Sequence, residues 1–220
     1  MPINSRFELL IFDLDGTLLD TRQDLTDAVN YALRKLGFAE LDRDTVTSYV
    51  GDGVRKLLER TLNHPEDEIL MRGRSYFIEY YSDHLADHTR PYPGVVEMLQ
   101  TLSGKRLAVI SNKSQEFTVP LLETLHLAHY FEIIIGGNAG YPAKPDPAAV
   151  KAVLEKTGVP TDKALITGDS PNDILAGRAA GISTCAALYG YRPQSELMEL
   201  KPDFSIRQAA ELIEILEKGD

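Results

Sequence analysis

Short apolar runs alternate with amphipathic stretches along most of this chain. The runs Glu8–Phe12, Arg106–Ile110, Phe131–Ile135, Ala164–Thr167 and Ser183–Leu188 have the length and aliphatic content of buried strands. Val95–Leu102, Gln115–Leu125, Pro147–Thr157 and Pro171–Ala180 read as helices, and Ala209–Leu216 as one more. Pro171 suits a first helical turn and Gly181 a C-terminal cap. Apolar strands spaced by helices imply a parallel sheet covered on both faces. The expected class is α/β, a doubly wound Rossmann-like core.

The stretch from about Asp20 to His88 breaks that alternation. Leu25, Ala28, Val29, Ala32, Leu33 and Leu36 recur at helical spacing, and Gly37 closes the stripe. Val54, Leu57, Leu58, Thr61 and Leu62 repeat the pattern after Gly51-Asp52-Gly53, and Tyr76, Phe77, Tyr80, Tyr81, His84 and Leu85 give a third, aromatic stripe. No strand is expected here. The segment reads as a helical lobe of residues 21–87 inserted into a core of residues 1–20 and 88–220. Two connections to one core would make it a hinged lid.

Composition narrows the function. The chain carries 33 Asp+Glu against 23 Lys+Arg in 220 residues, a formal charge of −10. That balance repels phosphate backbones, so a nucleic-acid partner is not expected. Cys185 is the only cysteine, which excludes an intrachain disulfide, and its apolar neighbours Thr184, Ala186 and Ala187 predict a buried structural thiol. No apolar run reaches membrane-spanning length, and Leu9–Phe12 is too short for a signal-peptide core. The expectation is a cytoplasmic protein with no membrane partner, monomer or dimer.

The chemistry gathers where the predicted strands end. Asp13-Leu14-Asp15-Gly16-Thr17 follows the first strand, and in an open parallel sheet ligands bind beyond the carboxyl ends of the strands. Ile110 is followed by Ser111-Asn112-Lys113, which offers a hydroxyl, an amide and a cation. Thr167 is followed by Gly168-Asp169-Ser170-Pro171-Asn172-Asp173 at a helix start, and Lys144 stands before another helix, next to Pro145. These polar groups should converge on one edge of the sheet.

In that order, Asp13-Leu14-Asp15-Gly16-Thr17, Ser111-Asn112, Lys144-Pro145 and Gly168–Asp173 resemble the four motifs of the haloacid dehalogenase-like (HAD) hydrolases. The helical insert after the first motif is similar to that superfamily's small α-helical cap, so the resemblance covers essentially the whole chain. Within the superfamily the likeness is to the phosphoglycolate phosphatases. It is carried by Leu18–Thr21, Val50–Lys56, Ser111-Asn112-Lys113, Asp173-Ile174, Ala179-Ala180-Gly181 and Tyr189-Gly190-Tyr191.

The resemblance implies roles. Asp13 would be a nucleophile that forms an aspartyl-phosphate, and Asp15 the general acid and base. Mg²⁺ would be held by Asp13, Asp169 and the main-chain carbonyl of Asp15. Lys144, Ser111 and Asn112 would bind the substrate phosphate, while Asp173 would orient Lys144 or the waters of the metal rather than ligate it. An ordinary aspartate is a poor proton donor at neutral pH, so the role of Asp15 asks for surroundings that hold its proton.

An acid at Asp15 argues for phosphoryl transfer over dehalogenation, and Thr17 argues against the sugar-phosphate mutases, which often carry valine there. A lid over the site favours a small phosphorylated metabolite, with phosphoglycolate first. A phosphosugar mutase, an inorganic pyrophosphatase, a nucleotidase and a catalytically idle ligand-binding member are the alternatives on the same scaffold. Gly51-Asp52-Gly53 would face the core, making Arg55 or Lys56 a contact for a substrate carboxylate. His84 and His88 lack the further His or Cys that a zinc site requires, and the aromatic stripe reads as lid core.

Overall fold

A computed structural model describes residues 5–218. Its main sheet has six parallel strands: β1 (Leu9–Phe12), β4 (Arg106–Ser114), β5 (Ile133–Gly137), β6 (Ala164–Gly168), β7 (Ser183–Ala187) and β8 (Phe204–Ile206). The spatial order is β5-β4-β1-β6-β7-β8, so the order reverses at β1, between β4 and β6. The ends of these three strands therefore enclose the crevice in which doubly wound sheets bind ligands.

Alternation along β1 divides the core. Leu10 and Phe12 face one apolar cluster with Leu107, Val109 and Leu165, covered by α5 (Val95–Thr101), α6 (Gln115–Thr124) and α10 (Glu211–Lys218). Leu9 and Ile11 face the other, with Ala108, Ile110 and Ile166, under α7 (Ala148–Thr157) and α8 (Pro171–Ala180). Cys185 is fully buried, and burial pushes its thiol up to about 12, which suits an inert packing role.

The strand ends depart from the apolar pattern in one informative place. β4 continues four residues beyond Ile110, through Ser111-Asn112-Lys113-Ser114. Its register against β5 shifts there: Ile110 pairs with Ile135 and Ser114 with Gly137, four steps on one strand against two on the other. Such a bulge re-aims side chains. Here Ser111 and Lys113 are both buried, although neither is apolar.

Four helices make up the insert that follows β1: α1 (Arg22–Leu36), α2 (Arg43–Ser48), α3 (Val54–Thr61) and α4 (Asp67–Asp83). They share a third apolar cluster that includes Leu25, Val29, Leu33, Leu58 and Phe77, with Phe117 of α6 joining from the core. Gly37 caps α1 in the left-handed region, φ 80°, which glycine adopts without strain. α2 was not expected, because six residues are too few to show a helical stripe.

Two short strands at the edge of this insert were also unforeseen. β2 (Leu19–Asp20) pairs antiparallel with β3 (Arg90–Pro91), setting the two chain crossings side by side. Asp24 of α1, almost fully buried, ties them further: it accepts from His88 N at 2.9 Å, Thr89 N at 2.8 Å and Thr89 Oγ1 at 2.6 Å. No described helix is long and apolar enough to cross a membrane.

Candidate active site

Asp13 and Asp15 follow β1, and Gly16 turns the chain back with φ 86°. A Cβ on Gly16 would stand 2.2 Å from Asp169 Oδ2, and one on Gly190 2.2 Å from Asp169 Cβ. Backbone therefore closes on Asp169 from two sides. Thr17 Oγ1 donates to Asp169 Oδ1 at 3.0 Å, and Tyr191 N donates to Oδ2 at 2.7 Å.

Lys144 joins the carboxylates. Its Nζ, almost fully buried, donates to Asp173 Oδ1 and to Ile110 O, each at 2.6 Å. It also lies 2.9 Å from Asp13 Oδ1, an ion-pair distance, but outside hydrogen-bonding geometry, so that buried oxygen has no hydrogen-bond partner. Burial would pull the Lys144 ammonium down, yet Asp13 and Asp173 hold it above its usual value.

Asp173 uses both oxygens. Besides Lys144 it accepts from Ser170 N at 3.1 Å and Ser170 Oγ at 2.7 Å, a capping box at the start of α8. It is thus a positioning group for Lys144.

Carboxylate oxygens of Asp13, Asp169 and Asp173 lie within 4.8 Å of one another. Burial raises Asp13 to about 6, with Asp173 adding and Lys144 opposing. Burial and the charges of Asp13 and Asp173 raise Asp169 to about 8. One lysine against three buried acids leaves an excess of negative charge, and the unpartnered Asp13 oxygen lies within it. All donors are hard carboxylate oxygens. The residues present fit a divalent cation that prefers oxygen, which Mg²⁺ does.

Asp15 is held differently. Its Oδ1 accepts from Thr21 Oγ1 at 2.8 Å, and Lys113 Nζ lies 3.1 and 3.3 Å from its two oxygens. The Lys113 ammonium thus faces Asp15 from within the core.

Ser111 is buried at the head of the crevice, its Oγ accepting from Lys113 N at 3.3 Å. Asn112, expected to bind phosphate, has its side chain fully occupied. Nδ2 donates to Gly51 O at 2.9 Å and Lys144 O at 3.0 Å, and Oδ1 accepts from Lys144 N at 2.8 Å. Its side chain is a brace between the helical insert and the lysine loop. Arg55 stands at the outer rim of a cavity of about 670 Å³ beside the crevice, 69% exposed and paired with Glu59 at 2.8 Å. The structure does not bring it to the carboxylates.

Several residues at the site carried no assigned role in the sequence. Asn172 Nδ2 donates to Asp52 Oδ1 at 2.7 Å, and Arg192 donates to Ser48 O and Val50 O at 2.8 and 2.7 Å. The expected core-facing loop at Gly51–Gly53 is therefore gripped by three core side chains, Asn112, Asn172 and Arg192. Tyr191 OH accepts from Thr21 N at 2.8 Å, linking the Asp169 loop to the start of α1. Asp24, Asp27 and His88 form a second acidic group, but the Asp24 oxygens are already taken by main-chain donors.

An open parallel sheet with a lysine and an acid cluster at its switch point is an arrangement for handling phosphate-like anions. The model of the haloacid dehalogenase-like hydrolases matches residues 10–187, and the chain belongs to that family. It is 38% identical over 211 residues to phosphoglycolate phosphatase of Aquifex aeolicus, covering 95% of this chain and 96% of that protein. It is likewise 38% identical over 217 residues to phosphoglycolate phosphatase of Nitrosospira multiformis, covering 96% of each. Among solved structures it superposes on a predicted phosphoglycolate phosphatase from Haemophilus somnus with a TM-score of 0.91 at 30% identity, covering 96% of this chain and 98% of that one.

Proposed function

We propose that this protein is a Mg²⁺-dependent phosphatase that hydrolyses a small organic phosphate monoester, phosphoglycolate first among candidates, through an aspartyl-phosphate on Asp13. The observation that carries the reading is the buried cluster in which Asp13 Oδ1 lies 2.9 Å from the Lys144 ammonium and within 4.8 Å of the Asp169 carboxylate. Its relatives named phosphoglycolate phosphatase support the choice of substrate.

Asp13 attacks phosphorus as the bond to the leaving oxygen breaks. Asp15 gives that oxygen its proton, then takes one from the water that hydrolyses the acyl phosphate. Lys144 and Ser111 hold the phosphate oxygens, and Asp173 fixes Lys144. Asp13, Asp169 and the main-chain carbonyl of Asp15 would hold Mg²⁺, with Thr17 and Tyr191 N orienting Asp169. The ion supplies charge that offsets the repulsion between carboxylate and phosphate, about 4 kcal/mol per charge pair at 4 Å and an effective dielectric near 20.

Residues 21–87 serve as a cap over a core of 1–20 and 88–220. In this closed arrangement they exclude water and bulky esters.

The test is phosphate release across a panel of small phosphomonoesters after chelation and metal restoration. Phosphoglycolate should be hydrolysed only with added Mg²⁺, and Asp13→Asn should abolish turnover. Metal-free hydrolysis, or an active Asp13→Asn, overturns the mechanism.

A further inference from the structure

Lys113 is a buried ammonium that the steps above do not use. Its side chain is 5% exposed, and the bulge in β4 turns it toward Asp15. Tyr81 of α4 lies on its other flank, with the ammonium 4.7 Å from the ring centroid. The Tyr81 hydroxyl is buried, and its one polar neighbour is the Lys113 ammonium, which does not meet it in good hydrogen-bond geometry. A buried hydroxyl with donor capacity to spare favours an acceptor beside it.

Both groups line one narrow cavity together with Asp13, Asp15 and Ser111. The remaining wall is largely apolar: Leu25, Val50, Val54, Leu57, Phe77 and Phe117. Lys113 is the only cation among the described residues that line it. The cavity measures about 40 Å³. That is room for about three water molecules, so it suits a leaving group of two or three carbons. A lysine has three N–H donors and Asp15 is one carboxylate, itself also tethered by Thr21. A cation with donor capacity and a buried hydroxyl, set in the largely apolar part of the wall away from Asp13, suit an anionic acceptor on a short chain.

We propose that Lys113 and Tyr81 together bind a carboxylate on the leaving group, so that the site selects short phosphorylated carboxylic acids. The proposal rests on the phosphatase reading and identifies which side chains set its specificity. Arg55, exposed and paired with Glu59, does not supply this contact.

The test compares kcat/KM for 2-phosphoglycolate with that for 2-hydroxyethyl phosphate, an ester of similar size whose leaving group carries no charge, in the wild type, Lys113→Met and Tyr81→Phe. The wild type should favour the carboxylate ester by about 30-fold or more, as expected for a charged hydrogen bond in a buried site. Lys113→Met should collapse that ratio, chiefly through the KM for phosphoglycolate, whatever its absolute activity. Tyr81→Phe, which removes one oxygen and keeps the packing, should lower the ratio about 3- to 10-fold. It carries the test if Lys113→Met does not fold. Equal losses on both esters, or a wild type with no preference, overturn the proposal and leave the phosphatase reading intact. A wild type that releases phosphate from neither ester, nor from an aryl phosphate, overturns both.

Discussion

Lys144 Nζ and Asp173 Oδ1 form an ion pair 2.6 Å long with both side chains essentially out of water. Asp173 is also the N3 residue of the α8 capping box, so helix start and buried lysine are fixed by one carboxylate. Buried pairs of this kind gain little over apolar packing, but removing one member is severe because the other stays buried and uncompensated.

Lys144→Met should therefore cost about 3–5 kcal/mol of stability as well as activity. It leaves three buried acids within 4.8 Å and no lysine among them. Urea unfolding reads this as a lowered midpoint at unchanged slope. A variant as stable as the wild type would show that Lys144 does not hold the cluster together.

The raised values of Asp13, about 6, and Asp169, about 8, give the metal-free protein a pH dependence of definite sign. Below about pH 4 both acids are protonated whether the chain is folded or not. Between there and pH 8 the folded form holds protons that the unfolded form has released, so stability falls as pH rises. Calorimetry on chelated protein should show Tm lower at pH 8 than at pH 5 by about 5 °C or more. Mg²⁺ should recover more at pH 8, since binding to deprotonated carboxylates is then unopposed by protons. A Tm that climbs over this range without metal contradicts the burial of the two acids.

The same cluster shows how much was legible in the sequence. Asp13, Ser111, Lys144, Asp169 and Asp173 lie at strand ends and helix starts, where an apolar run stops and a polar residue follows. Their convergence could be anticipated from parallel topology alone. The apolar pattern ends β4 at Ile110 because Ser111–Ser114 are polar, yet the strand runs on and Ser111, Lys113 and Ser114 are buried in it. Polar residues that face a site look like a loop in any hydrophobic pattern. The family resemblance puts Asn112 on the phosphate, whereas the structure gives its amide to two carbonyls and a main-chain N–H. Tyr81, Asn172 and Arg192 act across the interface of the insert and core, at sequence separations that no local spacing encodes.

Two glycines should be indispensable for the space around Asp169. A Cβ at Gly16 or Gly190 would drive into the Asp169 side chain at 2.2 Å, and Gly16 also has a positive φ. Gly37 has a positive φ but nothing within 4 Å of its added Cβ. Gly37→Ala should cost about 1 kcal/mol and leave Mg²⁺-dependent activity intact. Gly16→Ala and Gly190→Ala should lose the stabilisation that Mg²⁺ confers, read as Tm with and without the ion, because Asp169 is displaced. Retained Mg²⁺ stabilisation in both would remove Asp169 from the metal site.

The grip of Asn172 and Arg192 on the loop between α2 and α3 predicts how the insert opens. Arg192 reaches two carbonyls, Ser48 O and Val50 O, and Asn172 reaches Asp52, which is itself paired with Arg60 at 2.5 Å. Arg192 sits on the exposed side of this contact, so its replacement leaves no buried charge. Arg192→Ala should then change global stability by about 1 kcal/mol or less while shifting the insert toward an open form. Limited proteolysis should cut the segment around residues 48–53 faster than in the wild type. KM for the substrate should rise about 3- to 10-fold, because part of the binding energy is now used to close the lid. Unchanged cleavage together with unchanged KM would mean that the loop is held by Asn112 and Asn172 alone.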